Sequence, residues 1–116
     1  MESILISIKK LLGIEENYTH FDEEIKMQIN SALMSANQLG LGPPDGFAIE
    51  DESATWAEFV KDRKDLHGIK TYIYHKVRLA FDPPQTGPLV DAINKQIQEL
   101  EWRLNVQVEG GKTDDQ

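Results

Sequence analysis

The chain lacks cysteine altogether. Disulfide frameworks, thiolate zinc sites and cysteine nucleophiles are therefore excluded. Long apolar runs are also missing, because no stretch approaches the roughly 18 apolar residues that a membrane-spanning helix needs. The run Ile4–Ile6 is too short for a signal peptide, and no cleavage site of small residues follows it. The sequence therefore predicts a protein without a membrane-embedded segment.

Basic residues are few for the number of acidic ones. The 116 residues contain 12 lysines and arginines against 20 aspartates and glutamates, so the formal net charge is −8. A free-standing nucleic-acid-binding protein needs a basic surface that neutralises phosphates, and this composition disfavours one. With 40% hydrophobic and 28% charged residues, the chain is typical of one globular domain.

Residues with catalytic or metal-binding chemistry form no recognisable pattern. His20, His67 and His75 are not spaced as the ligands of a known metal motif. Adjacent carboxylates such as Glu15-Glu16 fall in predicted loops, whereas acid–base catalysis needs a carboxylate in a desolvated pocket. The sequence therefore predicts no catalytic residue, no metal site and no cofactor.

Helical periodicity dominates the chain and predicts an all-α fold. Apolar residues recur at the i, i+3, i+4, i+7 spacing of one helical face, which indicates a small bundle of four to five helices. The predicted segments are Ile4–Leu12, about Asp22–Leu39, a short helix through Trp56–Val60 capped by Ser53 or Thr55, about Leu66–Phe81, and a last helix of about 17 residues beginning near Pro88. Because apolar residues cover most of the circumference of the fourth helix, we expect that helix to be central.

Two segments fall outside this helical pattern. Residues 40–53 form a long loop between the second and third helices and contain the acidic run Glu50-Asp51-Glu52. Loops of this length are usually functional or mobile. Residues 109–116 are polar and contain glycine, which is typical of a flexible C-terminal tail. The predicted organisation is a single helical domain over residues 1–108 followed by that tail.

Some large apolar residues lie on the side of their predicted helices that faces away from the apolar stripe. At about 100° per residue, Trp102 and Val106 point away from the apolar stripe of the last helix. Met27 and Met34 do the same in the second helix. Tryptophan and methionine are common anchors of protein interfaces, which predicts partner surfaces at these positions. The alternative is that a small bundle folds some of them into its interior.

Several stretches resemble one family in their order and spacing. They are Ile8–Ile14, Asp22–Ile25, Ile29–Ala32, Gln38-Leu39-Gly40, Ile69–Leu79, Phe81-Asp82-Pro83-Pro84 and Glu99–Asn105. Together they make residues 11–108 similar to the small head–tail connector proteins of tailed bacteriophages, also called head-completion or adaptor proteins.

The resemblance implies a structural virion protein at the head–tail interface that is present in the host cytoplasm during assembly. Such subunits form a ring, commonly of twelve copies, beneath the portal protein; the ring extends the DNA channel and docks a stopper or tail-completion protein. It assigns portal contact to Trp102, Arg103, Val106 and the tail. It places the loop around Glu50, Asp51 and Glu52 at or near the channel, where DNA passes without specific binding.

Other functions are open from the residues alone. The first alternative is a helical protein-interaction adaptor of a non-viral assembly, such as a cytoplasmic scaffold. A DNA-binding helix-turn-helix protein is disfavoured by the net charge of −8, and an enzyme is disfavoured by the lack of catalytic patterns. A neighbouring gene for a portal or major capsid protein would favour the connector.

Overall fold

The computed structural model describes the backbone of residues 2–61 and 66–114 and the side chains of residues 2–61 and 66–106. Its helices are α1 (Ile4–Leu11), α2 (Asp22–Gln38), α3 (Trp56–Val60), α4 (Leu66–Phe81) and α5 (Gly87–Asp114). Within the described ranges, extended pairing is confined to one isolated bridge between Ser3 and Thr55. The predicted all-α bundle, with its long connection between the second and third helices, is confirmed.

The central element is α4, as predicted. Ile69, Tyr72, Ile73 and Val77 are buried along one stripe of this helix, which packs against both α2 and α5. The order of the chain and the residue contacts make α4 antiparallel to both neighbours. At one end, for example, Phe21 just before α2 meets the last residue of α4, Phe81, edge to face with ring centroids 5.4 Å apart.

The hydroxyl of Tyr72 joins α4 to α5. It donates a hydrogen bond to Glu101 Oε2 at 2.9 Å. Farther along α5, Asn105 Nδ2 donates to the carbonyl of Leu39 at 3.3 Å. The C-terminal half of α5 therefore lies beside the C-terminal end of α2, and the two helices flank α4.

The N-terminal helix is tied to the segment that begins α3. The Ile4 amide donates to the Ala54 carbonyl at 3.0 Å, and the buried indole of Trp56 donates through Nε1 to Ser7 Oγ at 2.8 Å. Thr55 caps α3 in a reciprocal capping box with Glu58, an arrangement that satisfies two otherwise unpaired amides. Of the two predicted caps, the structure therefore uses Thr55.

The last helix is longer than the sequence predicted. It spans 28 residues and continues to Asp114, so its backbone enters the segment that was expected to be a flexible tail. Gly110 and Gly111 lower helix propensity, which is why the sequence pattern ended the helix earlier. Extending an existing helix requires no new nucleation step, and weak helix formers can follow a strong start.

A buried lysine fixes the link between α1 and α2. Lys9 is only 2% exposed, and its Nζ donates to the carbonyls of Glu16 at 2.9 Å and Tyr18 at 2.8 Å. It also pairs with Asp22 Oδ1 at 2.8 Å. Because a buried ammonium is tolerated only with such oxygen partners, the link and the start of α2 must adopt one arrangement around it.

We predict that Lys9→Met lowers the free energy of unfolding by about 3 kcal/mol, because it leaves two carbonyls and a carboxylate without their cation. Urea unfolding followed by circular dichroism measures the loss. Lys10→Met, one residue along on the exposed side of α1, should change stability by less than about 0.5 kcal/mol. Equal effects of the two substitutions would contradict the assigned role of Lys9.

Candidate interaction surfaces

The connection between α2 and α3 is fastened to α2 by side chains of that helix. Asn30 clamps the backbone of Ile49, accepting from its amide at 2.7 Å and donating to its carbonyl at 3.1 Å. Asn37 Nδ2 donates to the Leu41 and Pro43 carbonyls at 3.0 and 2.7 Å. The segment is therefore held along α2 at two places.

A third contact holds the acidic part of this connection. Lys26 Nζ donates to the Glu50 carbonyl at 3.0 Å, and it also pairs with Glu23 at 3.0 Å. The side chains of Glu50, Asp51 and Glu52 are all exposed. The backbone of the acidic run is thus anchored at Glu50 while its carboxylates face solvent.

Asp51 has its own local hydrogen bonds. Its Oδ1 accepts from both the amide and the hydroxyl of Ser53. These bonds lower the pKa of Asp51 below its ordinary value, because they favour the ionised carboxylate. Asp51 therefore remains negatively charged at neutral pH.

We predict that Asn30→Ala releases the connection from α2. The change removes both hydrogen bonds to Ile49, and the loss of such partners at a part-buried site costs about 1–3 kcal/mol. Hydrogen exchange of the Ile49 amide should accelerate by at least about tenfold, with Asn94→Ala on the exposed side of α5 as the control. An unchanged Ile49 exchange rate would show that the clamp does not hold the segment.

The outward side of α2 displays the two methionines that the sequence singled out. The exposed fractions are 71% for Met27 and 64% for Met34. The intervening Ser31 is exposed as well, so the three residues form one solvent-facing stripe. The predicted outward orientation is thereby confirmed, whereas a partner for this stripe stays a prediction.

The outward side of α5 displays the second predicted surface. Trp102 is 68% exposed and Val106, one turn later, is 43% exposed. Arg103 lies beside them and pairs with Glu99 one turn earlier. The alternative in which the bundle folds Trp102 and Val106 into its core is therefore wrong, because the stripe of Ile93, Ile97 and Leu104 on the other side of α5 fills that space.

The structure separates the predicted surfaces. Trp102 and Val106 lie near Asn105, which contacts Leu39 at the end of α2. The acidic run is anchored at Lys26 in the first half of α2. Leu39 lies thirteen positions after Lys26, which corresponds to about 20 Å of helix. Met27 lies next to the acidic end of α2, and Met34 lies about two turns further along the helix.

A groove between α1 and α4 is a surface that the sequence did not predict. The apolar spacing of Ile4, Ile8 and Leu11 predicts a buried position for Leu11, but Leu11 is 51% exposed. This prediction is wrong because Lys9 takes the buried position and Leu11 faces the gap beside α4. The groove has a volume of about 420 Å³ and is lined by Glu2, Ser7, Lys10, Leu11, His67, Lys70, Thr71, Tyr74 and His75.

The groove concentrates basic side chains in an otherwise acidic protein. Lys10 and His67 are exposed at its rim, and Lys70 pairs with Glu2 within it. The ammonium of Lys70 also lies 5.9 Å from the centre of the Trp56 ring, within the range of a cation–π contact. Leu11 and Tyr74 provide the apolar part of the lining.

Two side chains of α4 have shifted pKa values that reflect packing. Burial, reinforced by the hydrogen bond to Glu101, raises the pKa of Tyr72 well above its ordinary value. Burial lowers the pKa of His75 below its ordinary value of 6.5, and the charge of Arg78 lowers it further. The Gln96 side chain raises the pKa but does not offset these two effects. His75 is therefore neutral in the folded protein at pH 7.

We predict that His75 makes the fold sensitive to mild acid. The unfolded chain binds the proton more readily than the fold does, so stability contributed by neutral His75 is lost as the pH falls from 6.5 towards the lower folded pKa. Unfolding free energies at a series of pH values should decline over this window in the native chain and less steeply in His75→Gln. Parallel pH profiles for the two chains would refute this role.

No group of three or more histidine, aspartate or glutamate side chains in residues 2–61 and 66–106 is arranged to hold a metal ion. Among the helices of the described part, none combines the length and the apolar character needed to cross a bilayer. The acidic run, the two exposed apolar stripes and the basic groove are surfaces suited to macromolecular contact.

Lys9 and the two clamping asparagines are residues that sequence reasoning missed. Lys9 falls on the same helical stripe as Leu5 and Ile8, and a charge at such a position indicates a buried partner. Asn30 and Asn37 are seven residues apart and so share one face of α2. The spacing was visible in the sequence, but the backbone groups they bind were not.

Comparison with known proteins identifies one family. A family model described as "Phage connector protein" matches residues 4–111, which is nearly the whole chain. No curated protein and no solved structure matches the chain significantly.

Proposed function

The chain belongs to the phage connector protein family, and we propose that copies of it form a ring beneath the portal, extend the DNA channel and dock the next head-completion or tail protein. Membership makes the chain a structural virion component that contacts other head or tail proteins. The observation that carries the finer proposal is the large exposure of Trp102 on a helix whose opposite side is fully packed.

Trp102 is proposed as the anchor of the portal contact, with Arg103 and Val106 beside it. An exposed indole gains more from burial in a partner than almost any other side chain, and tryptophan and arginine are enriched among residues that dominate binding energy. The hydrogen bond between Tyr72 and Glu101 fixes the rotation of α5 just before Trp102. The helix backbone that carries the indole is thereby held in place before binding, which reduces the entropy lost on association.

The acidic run is proposed to line or approach the DNA channel. Basic walls would release counterions from each phosphate they neutralise and would hold the DNA. Carboxylates at Glu50, Asp51 and Glu52 instead repel the phosphates weakly, and a ring repeats this charge in every subunit. The hydrogen bond from Lys26 to the Glu50 carbonyl supports the proposal, since it holds the backbone of the acidic run against α2 while the carboxylates face solvent.

The residues alone leave a non-viral adaptor open as an alternative for the same exposed surfaces. The family match over residues 4–111 favours the virion role, because it covers the helices that carry all of these surfaces. The alternative would be supported only if the chain did not bind portal protein.

We predict that Trp102→Ala weakens binding of the chain to the portal protein of the same phage by at least about tenfold, because it removes the proposed anchor. Binding is measured by native mass spectrometry and biolayer interferometry. The matched control is Leu89→Ala, which removes another exposed apolar side chain (55% exposed) near the opposite end of α5. Equal affinities of both variants and the native chain would remove Trp102 from the interface.

We predict that the triple substitution Glu50→Gln, Asp51→Asn, Glu52→Gln slows DNA ejection from assembled particles or leaves DNA bound to isolated rings, because it removes the repulsion. The control Glu15→Gln, Glu16→Gln, Asp91→Asn removes the same charge from other exposed positions. Ejection rates and DNA retention at several salt concentrations are the measurements. If the acidic-run variant behaves like the native chain in both assays, the channel role is wrong.

A further inference from the structure

We propose that neighbouring copies of the chain join head to tail, the outward stripe of α2 in one copy entering the groove between α1 and α4 of the next. This stripe consists of Glu23, Glu24, Met27, Ser31 and Met34, and is called the α2 face below. The inference rests on the proposed ring, and it assigns an interface to two surfaces that the proposed portal and channel contacts leave uncovered.

The two surfaces point in opposite directions. At about 100° per residue, the exposed residues of α2 lie about 180° from its buried residues. The groove residues of α4 lie about 150° from the buried stripe of that helix. Since α2 and α4 pack against each other through their buried sides, one surface opens on each side of the pair. A contact between different surfaces of identical subunits continues from copy to copy and can close into a ring.

Both surfaces carry exposed apolar side chains that suit a mutual contact. Met27 is 71% exposed at the middle of the α2 face, and Leu11 is 51% exposed at the wall of the groove. Tyr74 lies in the same groove, where a methionine sulfur can contact its ring. A groove of about 420 Å³ is roomy enough for a flexible methionine side chain.

The charges of the two surfaces are opposite. Glu23 and Glu24 are exposed in the first turn of α2, and the acidic run is held beside that turn through Lys26. The groove presents Lys10 and Lys70, and although Lys70 pairs with Glu2 of the same lining, the second lysine leaves the groove with a net positive charge. Such complementarity selects a partner and fixes its register. Two α2 faces in contact would place carboxylate against carboxylate, and two grooves would place lysine against lysine, whereas this pairing avoids both repulsions.

Disulfide trapping tests the contact directly, because the native chain has no cysteine. Met27→Cys in one copy and Leu11→Cys in another replace exposed residues, so neither change disturbs the core. The two variants are mixed on portal protein, and the assembled complex is sized by native mass spectrometry before oxidation. We expect an 11–27 cross-linked dimer at least about tenfold more abundant than the product of Met27→Cys with Ala80→Cys, an exposed residue of α4 outside the groove lining.

The outcomes separate this inference from the proposed function. A ring-sized complex whose 11–27 product does not exceed the Ala80 control would overturn the interface and leave the ring intact. Predominant 27–27 or 11–11 products would indicate symmetric pairing and would also overturn it. Absence of any ring-sized complex with portal would refute the proposed ring, and this interface with it.

Charge reversal supplies a second, independent readout. Lys10→Glu with Lys70→Glu places acid in the groove, and Glu23→Lys with Glu24→Lys places base on the α2 face. We expect each double variant alone to lose ring assembly by at least about tenfold. An equimolar mixture should restore assembly, because every contact in an alternating ring is again between opposite charges. Recovery in the mixture excludes misfolding as the cause of the loss, and failure to recover while both variants remain folded contradicts the pairing.

Discussion

The ammonium of Lys9 is the constraint on which much of this structure depends. A positive charge that is 2% exposed must find oxygen partners, and Lys9 finds them on Glu16, Tyr18 and Asp22. This requirement folds the link back over α1 and fixes where α2 begins. It also turns Leu11 outwards, so one wall of the groove beside α4 follows from the burial of a single charge.

The helix that Lys9 positions, α2, then organises two surfaces at once. One side of it carries Asn30 and Asn37, which fasten a long connection by its backbone. The side of α2 that faces away from the core exposes Met27 and Met34 to solvent. The two asparagines bind backbone groups of the connection and leave its side chains unconstrained. The carboxylates of the acidic run are therefore exposed to solvent and take no part in the packing.

The proposed DNA channel and the proposed portal contact depend on different surfaces and on interactions of different range. Repulsion of DNA by carboxylates acts over about a Debye length, whereas Trp102 needs direct contact with a protein partner. The separation of about 20 Å along α2 keeps the indole outside the strongest field of the acidic run. A small domain can therefore repel one macromolecule and bind another, provided that its helices hold the two chemistries apart.

The sequence by itself determined the all-α class, the bounds of α4, a cap for α3 at Ser53 or Thr55, and the outward orientation of Trp102, Met27 and their neighbours. These features follow from periodicity and capping within a few residues, which the chain order displays directly. Only the tertiary structure decided that Lys9 is buried, that Asn30 holds Ile49, and that Leu11 opens into a groove. Each of these depends on backbone groups or helices far along the chain, whose positions exist only after the helices have packed.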